Sequence, residues 1–196
     1  MDFCPQNRAI LKQKLEIVTF LIENGVDVNQ KDGKNWTPIA KAISVEDIEI
    51  LKILMNHGAN VNFLNNNSGW TPLCLAIRIG KLEIVQSLIA NGANLNLFTG
   101  SGRSPLSKAI EVHTKNLDLV KVLFESGANM NALDGDGYSP MHRAIRYMNT
   151  KIINYFLQSG ADLDGKNIGG DNSLEMAWKI KDEKTIKMLL QYQCNK

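Results

Sequence analysis

The feature that most constrains this chain is that it copies itself. The segment Trp70–Asn96, WTPLCLAIRIGKLEIVQSLIANGANLN, has edited counterparts on both sides. The alanine of its Ala-Ile pair recurs as Ala9, Ala42, Ala76, Ala109, Ala144 and Ala177, at intervals of 33, 34, 33, 35 and 33 residues. The glycine near its end recurs as Gly25, Gly58, Gly92, Gly127 and Gly160. Two independent markers keep one register. A period of this length signifies a solenoid, a propeller or an array, whose units do not bury their apolar faces alone.

The content of one period sets the kind of unit. Thr71-Pro72 suits a helix start, because a hydroxyl caps free backbone N–H groups and proline fits the first helical position. Leu73, Ala76 and Ile77 then form a short apolar face, closed by Gly80. Leu82, Ile84, Val85, Leu88 and Ile89 recur with helical spacing, and Asn91-Gly92 supplies a helix stop. The stretch from Asn94 to the next Thr-Pro is polar and turn-forming. Each unit is expected to be helix, tight turn, helix, projecting loop.

Gly69-Trp70-Thr71-Pro72-Leu73, then Ala76-Ile77, Leu82-Glu83-Ile84-Val85 and Gly92-Ala93-Asn94-Leu95-Asn96 resemble the ankyrin repeat. The resemblance covers residues 3–196 and six copies hold its register. It implies an all-α fold: an ankyrin-repeat solenoid of helix-turn-helix units with projecting β-hairpin loops, whose fingers and first helices make a concave face. The expected organisation is a single domain over 1–196, with repeats at about 3–35, 36–69, 70–102, 103–137, 138–170 and 171–196. Departures are local. Asn35 replaces the turn glycine, Ser104 and Ser139 replace threonine, and Asn172-Ser173-Leu174 lacks the proline. Asn65–Ser68 is one residue longer than its counterparts, and Val112–Asn116 holds two extra residues. Gln6 and Asn7 stand where later repeats carry apolar or small residues, which suits a solvated N-terminal cap. The charged cluster Lys179, Lys181, Asp182, Glu183, Lys184 and Lys187 suits a C-terminal one.

Composition narrows the setting. No apolar run approaches the roughly 18 residues of a membrane span, and Met1–Pro5 lacks the basic and apolar regions of a signal peptide. Cys4, Cys74 and Cys194 match no zinc spacing and read as free thiols of a reducing compartment. The expectation is a cytoplasmic protein, in its own cell or, as an effector, in a host cell. No cofactor or metal is expected. His142 follows Ser139-Pro140-Met141, where ankyrin repeats commonly carry a loop-bonding histidine; His57 precedes a helix-ending glycine, and His113 lies in the repeat-four insertion. Gly100-Ser101-Gly102 lacks the Gly-Lys-Ser/Thr of a phosphate loop. Asp134–Gly137 lacks the twelfth-position carboxylate of a calcium loop. Turn chemistry explains both.

What varies between repeats points to function. The residue before each Thr/Ser-Pro is Trp36, Trp70, Arg103 or Tyr138, with Asp171 in the sixth repeat, and Trp, Tyr and Arg are the types enriched at binding hot spots. A second row lies in the first helices: Arg8, Lys41, Lys108 and Arg143, joined by Arg78, Arg146 and Lys179. Acidic residues such as Glu16, Glu49, Glu83 and Asp118 fall on second helices instead. The expected partner-binding residues are therefore Trp36, Trp70, Arg103, Tyr138, Lys41, Arg78, Lys108, Arg143 and Arg146. Complementary potentials favour a protein partner with an acidic surface or peptide. A net charge of +2 argues against nucleic acid. The resemblance also implies possible hydroxylation at Asn29, Asn62, Asn96 and Asn131, each with a leucine eight residues earlier. The reading is a monomeric, non-catalytic protein-interaction module acting as effector, adaptor or inhibitor. Its alternatives are an enzyme with a site in the loops around Glu111 and His113, and a structural spacer.

Overall fold

Each Thr/Ser-Pro start forms a helix for the reason its residues suggest. In the computed structural model, which describes residues 4–64, 69–112 and 116–195, the Thr37 and Thr71 hydroxyls accept from the backbone N–H groups of Ala40 and Cys74. Ser104 and Ser139 do the same for Ser107 and His142. Where the proline is missing, Asn172 and Glu175 cap the helix reciprocally. Twelve helices result among the described residues.

They group into two compact units, Met1–Ser101 and Gly102–Lys196. The first holds α1 (Pro5–Leu11), α2 (Leu15–Glu23), α3 (Pro38–Ser44), α4 (Ile48–Asn56), α5 (Pro72–Ile79) and α6 (Leu82–Ala90). First helices pack in series, α1 on α3 on α5, and second helices likewise, α2 on α4 on α6. Ile10, Ile43 and Ile77 are fully buried in the first layer, with Leu51, Leu54 and Leu88 in the second. The second unit holds α7 (Pro105–Val112), α8 (Leu117–Glu125), α9 (Pro140–Arg146), α10 (Thr150–Gln158), α11 (Ser173–Ile180) and α12 (Glu183–Cys194). It repeats the same two layers around Leu106, Ile110, Leu123, Ile145 and Phe156.

The turn between the two helices of a repeat needs one left-handed residue. Gly80 supplies it at φ 85°. At the equivalent position Gln13, Glu46, Met148 and Lys181 adopt φ between 50° and 58° despite their side chains. That conformation costs an L-residue roughly 1–2 kcal/mol, against roughly 0.5–1 kcal/mol of added chain entropy for glycine. Met148 is exposed, so little packing is at stake. Met148→Gly is accordingly expected to raise the unfolding free energy by about 0.5–1 kcal/mol in urea melts; a loss would show that the side chain contributes contacts worth more than the strain.

The fingers depart from a ladder of strands. Among the described residues no extended ladder forms. The finger loops of repeats two, five and six each close through one bond, from Asp32 N–H to the Trp36 carbonyl, Asp134 to Tyr138 and Asn167 to Asp171. The closing side chain then takes further N–H groups: Asp32 Oδ1 accepts from Lys34 and Trp36, Asp134 Oδ1 from Asp136 and Tyr138, and Asn167 Oδ1 from Gly169 and Asp171. Neighbouring fingers touch backbone to backbone, with Gly135 N–H on the Gly102 carbonyl at 2.7 Å. A Cβ on Gly102 would lie 2.6 Å from Gly135 Cα, so this approach requires glycine.

Gln6 and Asn7 correct the expectation of a solvated N-terminal cap, since both are buried. Gln6 Nε2 donates to the Asp27 carbonyl at 3.2 Å, and Asn7 Nδ2 to the Trp36 carbonyl at 3.0 Å. Asn7 occupies the slot of His142, whose Nε2 meets the Asp171 carbonyl at 3.2 Å. The amide does the imidazole's work of tying a first helix to the next finger. The Asn65–Ser68 loop and His113 lie outside the described residues.

Candidate protein-binding face

The residue before each helix cap projects from the finger base, and the first helix then brings a cation back beside it. Lys41 Nζ sits 5.0 Å from the Trp36 ring centre, and the Arg78 guanidinium 5.1 Å from that of Trp70. Tyr138 lies between Arg143 at 4.9 Å and Arg146 at 5.4 Å. Lys41, Arg78, Arg143 and Arg146 of the basic row thus stand beside the three rings. Each cation stands five or eight residues after its ring, one or two helical turns along.

Several of the cations are also held by carboxylates. Lys41 Nζ meets Asp32 Oδ2 at 3.3 Å with both side chains largely buried. Burial alone would raise the Asp32 carboxyl, but the Trp36 N–H and the Lys41 ammonium outweigh it and hold it below its ordinary value. In the second unit the pairing becomes a network. Arg143 grips Asp134 with Nε at 2.6 Å and a terminal nitrogen at 3.0 Å, and reaches Asp136 at 2.8 Å. Arg103 binds Asp136 at 2.6 Å and approaches Glu111 at 3.5 Å, which Lys108 meets at 3.2 Å. Hydrogen bonds from Arg103 and Arg143 lower the Asp136 carboxyl to about 2. Burial would lower the Arg143 guanidinium, but Asp134 and Asp136 reverse that and raise it.

This geometry changes what the expected site residues can do. The Arg143 side chain is 2% exposed. It is a structural cation of the Asp134–Gly137 loop, which corrects its assignment to the binding surface. Lys41, Arg103 and Lys108 are partly covered and ion-paired, while Arg78 and Arg146 are exposed beside their rings. Sequence shows a cation's period; only coordinates show that a finger carboxylate already holds it. Glu111, named in the enzyme alternative, is likewise held by Arg103 and Lys108. Ser139 Oγ and His142 Nδ1 lie 2.7 Å apart, a spacing that resembles a nucleophile and its base. Both are buried, and the second imidazole nitrogen is taken by the Asp171 carbonyl, so the pair is a helix cap. Burial holds the His142 imidazole below its ordinary range.

Finger-entry asparagines are also in use. Asn29 donates to the Gly58 carbonyl and accepts from Asn60 N–H, and Asn62 repeats this with Gly92 and Asn94. Asn96 and Asn131 are exposed at the same position.

The structure adds residues that sequence reasoning passed over. Two positions after the finger-entry asparagine stand Leu64, Phe98 and Leu133, 45%, 40% and 46% exposed. Lys31 and Lys166 hold that position in the first and fifth fingers. The signal was present as an apolar side chain recurring at a fixed offset in a polar loop. Read without coordinates, it passes for loop packing. The Lys31 ammonium also caps the Phe63 ring at 4.3 Å.

With this geometry in place, comparison with known proteins is informative. A family model for ankyrin repeats (three copies) matches residues 7–99 and again 106–196. Among curated relatives, an ankyrin repeat, SAM and basic leucine zipper domain-containing protein of Carollia perspicillata is 32% identical over 56 residues, 29% of this chain and 12% of that protein. A protein of Fowlpox virus (strain NVSL), named for its ankyrin repeats, is 37% identical over 60 residues, 31% of this chain and 14% of its own length. The chain thus covers less than a sixth of the length of these relatives. Repeat period, helix pairing, caps and the family match agree, and the chain belongs to the ankyrin-repeat family.

Proposed function

We propose that this chain is a non-catalytic protein-binding module, its six repeats acting as one monomeric domain that engages a partner through its fingers and first helices. The observation that carries this reading is the exposure of Leu64, Phe98 and Leu133 at one position of successive fingers. Exposed apolar surface on a soluble protein marks an interaction site when it forms a patch, and an apolar side chain recurring at one finger position supplies the repeated contact points of such a face. Trp36, Trp70 and Tyr138 lie at the finger bases behind them, each already stacked under a cation. Such rings lose little freedom on binding and suit the anchor role. Arg78 and Arg146, exposed beside Trp70 and Tyr138, would meet acidic groups on the partner. The three unbridged thiols, with Cys194 exposed, favour a reducing, cytoplasmic setting. Occupying a partner's surface in this way suits an effector, adaptor or inhibitor.

The test is a capture from lysate with the intact chain beside a Leu64→Glu/Phe98→Glu variant and an Arg78→Glu variant. All three positions are exposed, so circular dichroism should match the parent. A partner held by the parent should bind the double variant at least about tenfold more weakly by calorimetry, the size of one lost hot spot. Equal binding by all three chains would move the interface off this face.

A further inference from the structure

The fingers of the first unit are tied to one another by an asparagine ladder. Asn29 Oδ1 accepts from Asn60 N–H at 2.7 Å, and its Nδ2 donates to the Gly58 carbonyl at 3.2 Å. Asn62 repeats both bonds, with Asn94 N–H at 2.6 Å and the Gly92 carbonyl at 3.0 Å. Lys31, Leu64 and Phe98 each stand two residues past Asn29, Asn62 and Asn96. The shared rung geometry carries these three side chains into one row. It advances by the spacing of packed helices, roughly 10 Å per repeat.

The row is cationic at one end and apolar along the rest. Lys31 and, nearer the tip of the same finger, the exposed Lys34 have no ion pair among the described residues. Of the two acids in that finger, Asp32 is held by Lys41, and Asp27 accepts from Asn29 N–H four residues before Lys31. Residues 59–70 and 93–101, which make the next two fingers, contain no charged side chain. The spacing then decides the shape of an occupant. Side chains on one face of a strand recur every 6.6 Å or so, out of step with the row. On a helix, residues a heptad apart share a face at about 10.5 Å. A polyproline helix repeats at roughly 9.3 Å, but it is received in aromatic-lined grooves. Leu64 and Phe98 project instead, as knobs that suit the holes of a helix surface.

We propose that the first three fingers receive an amphipathic helix lying along this row, with a carboxylate on Lys31 and apolar residues one and two heptads away on Leu64 and Phe98. This rests on the fingers being the binding face and names the local structure and charge of what they bind. The Phe63 ring, 4.3 Å from the Lys31 ammonium, already positions that cation, so less side-chain freedom is lost when it pairs.

The experiment uses the full chain and fluorescein-labelled, alanine-rich peptides of about 20 residues, long enough to hold a helix. Each carries two leucines a heptad apart and one Glu a heptad beyond, before them in one peptide and after them in the other, so that both helix directions are sampled. Fluorescence anisotropy should show saturable binding of one of the two. Moving one leucine to the opposite face of the helix should weaken it at least about tenfold, as should Leu64→Glu or Phe98→Glu. Lys31→Glu should reverse the charge preference, so that a peptide with Lys in place of Glu binds at least about threefold more tightly than its parent. Lys151→Glu, exposed on α10, should change nothing. No saturable binding, equal binding of the displaced-leucine peptide, tighter binding of a proline-rich peptide, or an unreversed preference with Lys31→Glu would overturn the proposal. So would a dimer in sedimentation equilibrium that Leu64→Glu dissolves, since the occupant would then be a second copy. A captured partner lost with Leu64→Glu/Phe98→Glu yet indifferent to Lys31→Glu would keep the binding face and remove the helix alone.

Discussion

Asp134→Asn is expected to lower the unfolding free energy by about 3–5 kcal/mol in a urea melt. The Asp134 side chain is fully buried and that of Arg143 is 2% exposed, so neither charge has water to fall back on. Their bidentate contact, at 2.6 and 3.0 Å, is what makes the burial tolerable. Asparagine keeps an oxygen for the N–H groups of Asp136 and Tyr138, so the finger turn survives and the measurement isolates the charge. The double variant Asp134→Asn/Arg143→Met should recover most of the loss, because it leaves no orphaned cation. Asp136 alone, half exposed and shared with Arg103, is a poor substitute partner. If the single variant lost less than about 1 kcal/mol, water would have to reach the guanidinium, and the site would rank with surface ion pairs.

The second large effect lies in the second-helix layer. Phe156→Ala should destabilise by about 3–5 kcal/mol, through lost transfer free energy plus the cavity left behind. Phe156 is fully buried in the slot that other repeats fill with Leu54, Leu88, Leu123 and Leu189. Its ring packs edge-on to Phe124 at 6.4 Å between centres, and Phe124 in turn meets Tyr155 at 5.9 Å. Phe156→Leu restores the residue of the other repeats but not the fit, since Phe124 has adapted to a ring. A cost of about 1 kcal/mol is expected for it. Thermal and urea melts of both variants check the pair. A leucine variant as stable as the parent would mean that this layer repacks freely.

Helix starts and helix pairing were legible because they are local. Thr37, Thr71, Ser104 and Ser139 each accept a bond from an N–H three residues on, and the spacing that makes this possible is a property of the chain itself. Asn35 in place of the turn glycine caused no misreading, because its φ of 64° is one that asparagine tolerates. The finger geometry was less legible. A strand ladder and an Asx-closed loop draw on the same glycines, aspartates and asparagines.

The candidate site divides along the same line. That Trp36, Trp70 and Tyr138 share a position, and that Lys41, Arg78 and Arg143 share a helix layer, follows from the period alone. Which of them face solvent does not. Arg143 and Arg146 differ by three residues on one short helix, yet one is sealed against Asp134 and the other is exposed beside Tyr138. Gln6 and Asn7 show the same limit, since polar type suggested solvent where the Asp27 carbonyl of the same repeat and the Trp36 carbonyl of the next waited for donors.

The sequence by itself determined the unit, its six-fold recurrence and its helical content, because these rest on short-range rules of capping, periodicity and turn chemistry. Tertiary structure alone decided which charges are spent inside the fold, and that Leu64, Phe98 and Leu133 stand exposed at the fingers. The physical reason is that exposure and ion pairing depend on residues from a neighbouring loop or repeat. Those arrive at a side chain only when the helices stack.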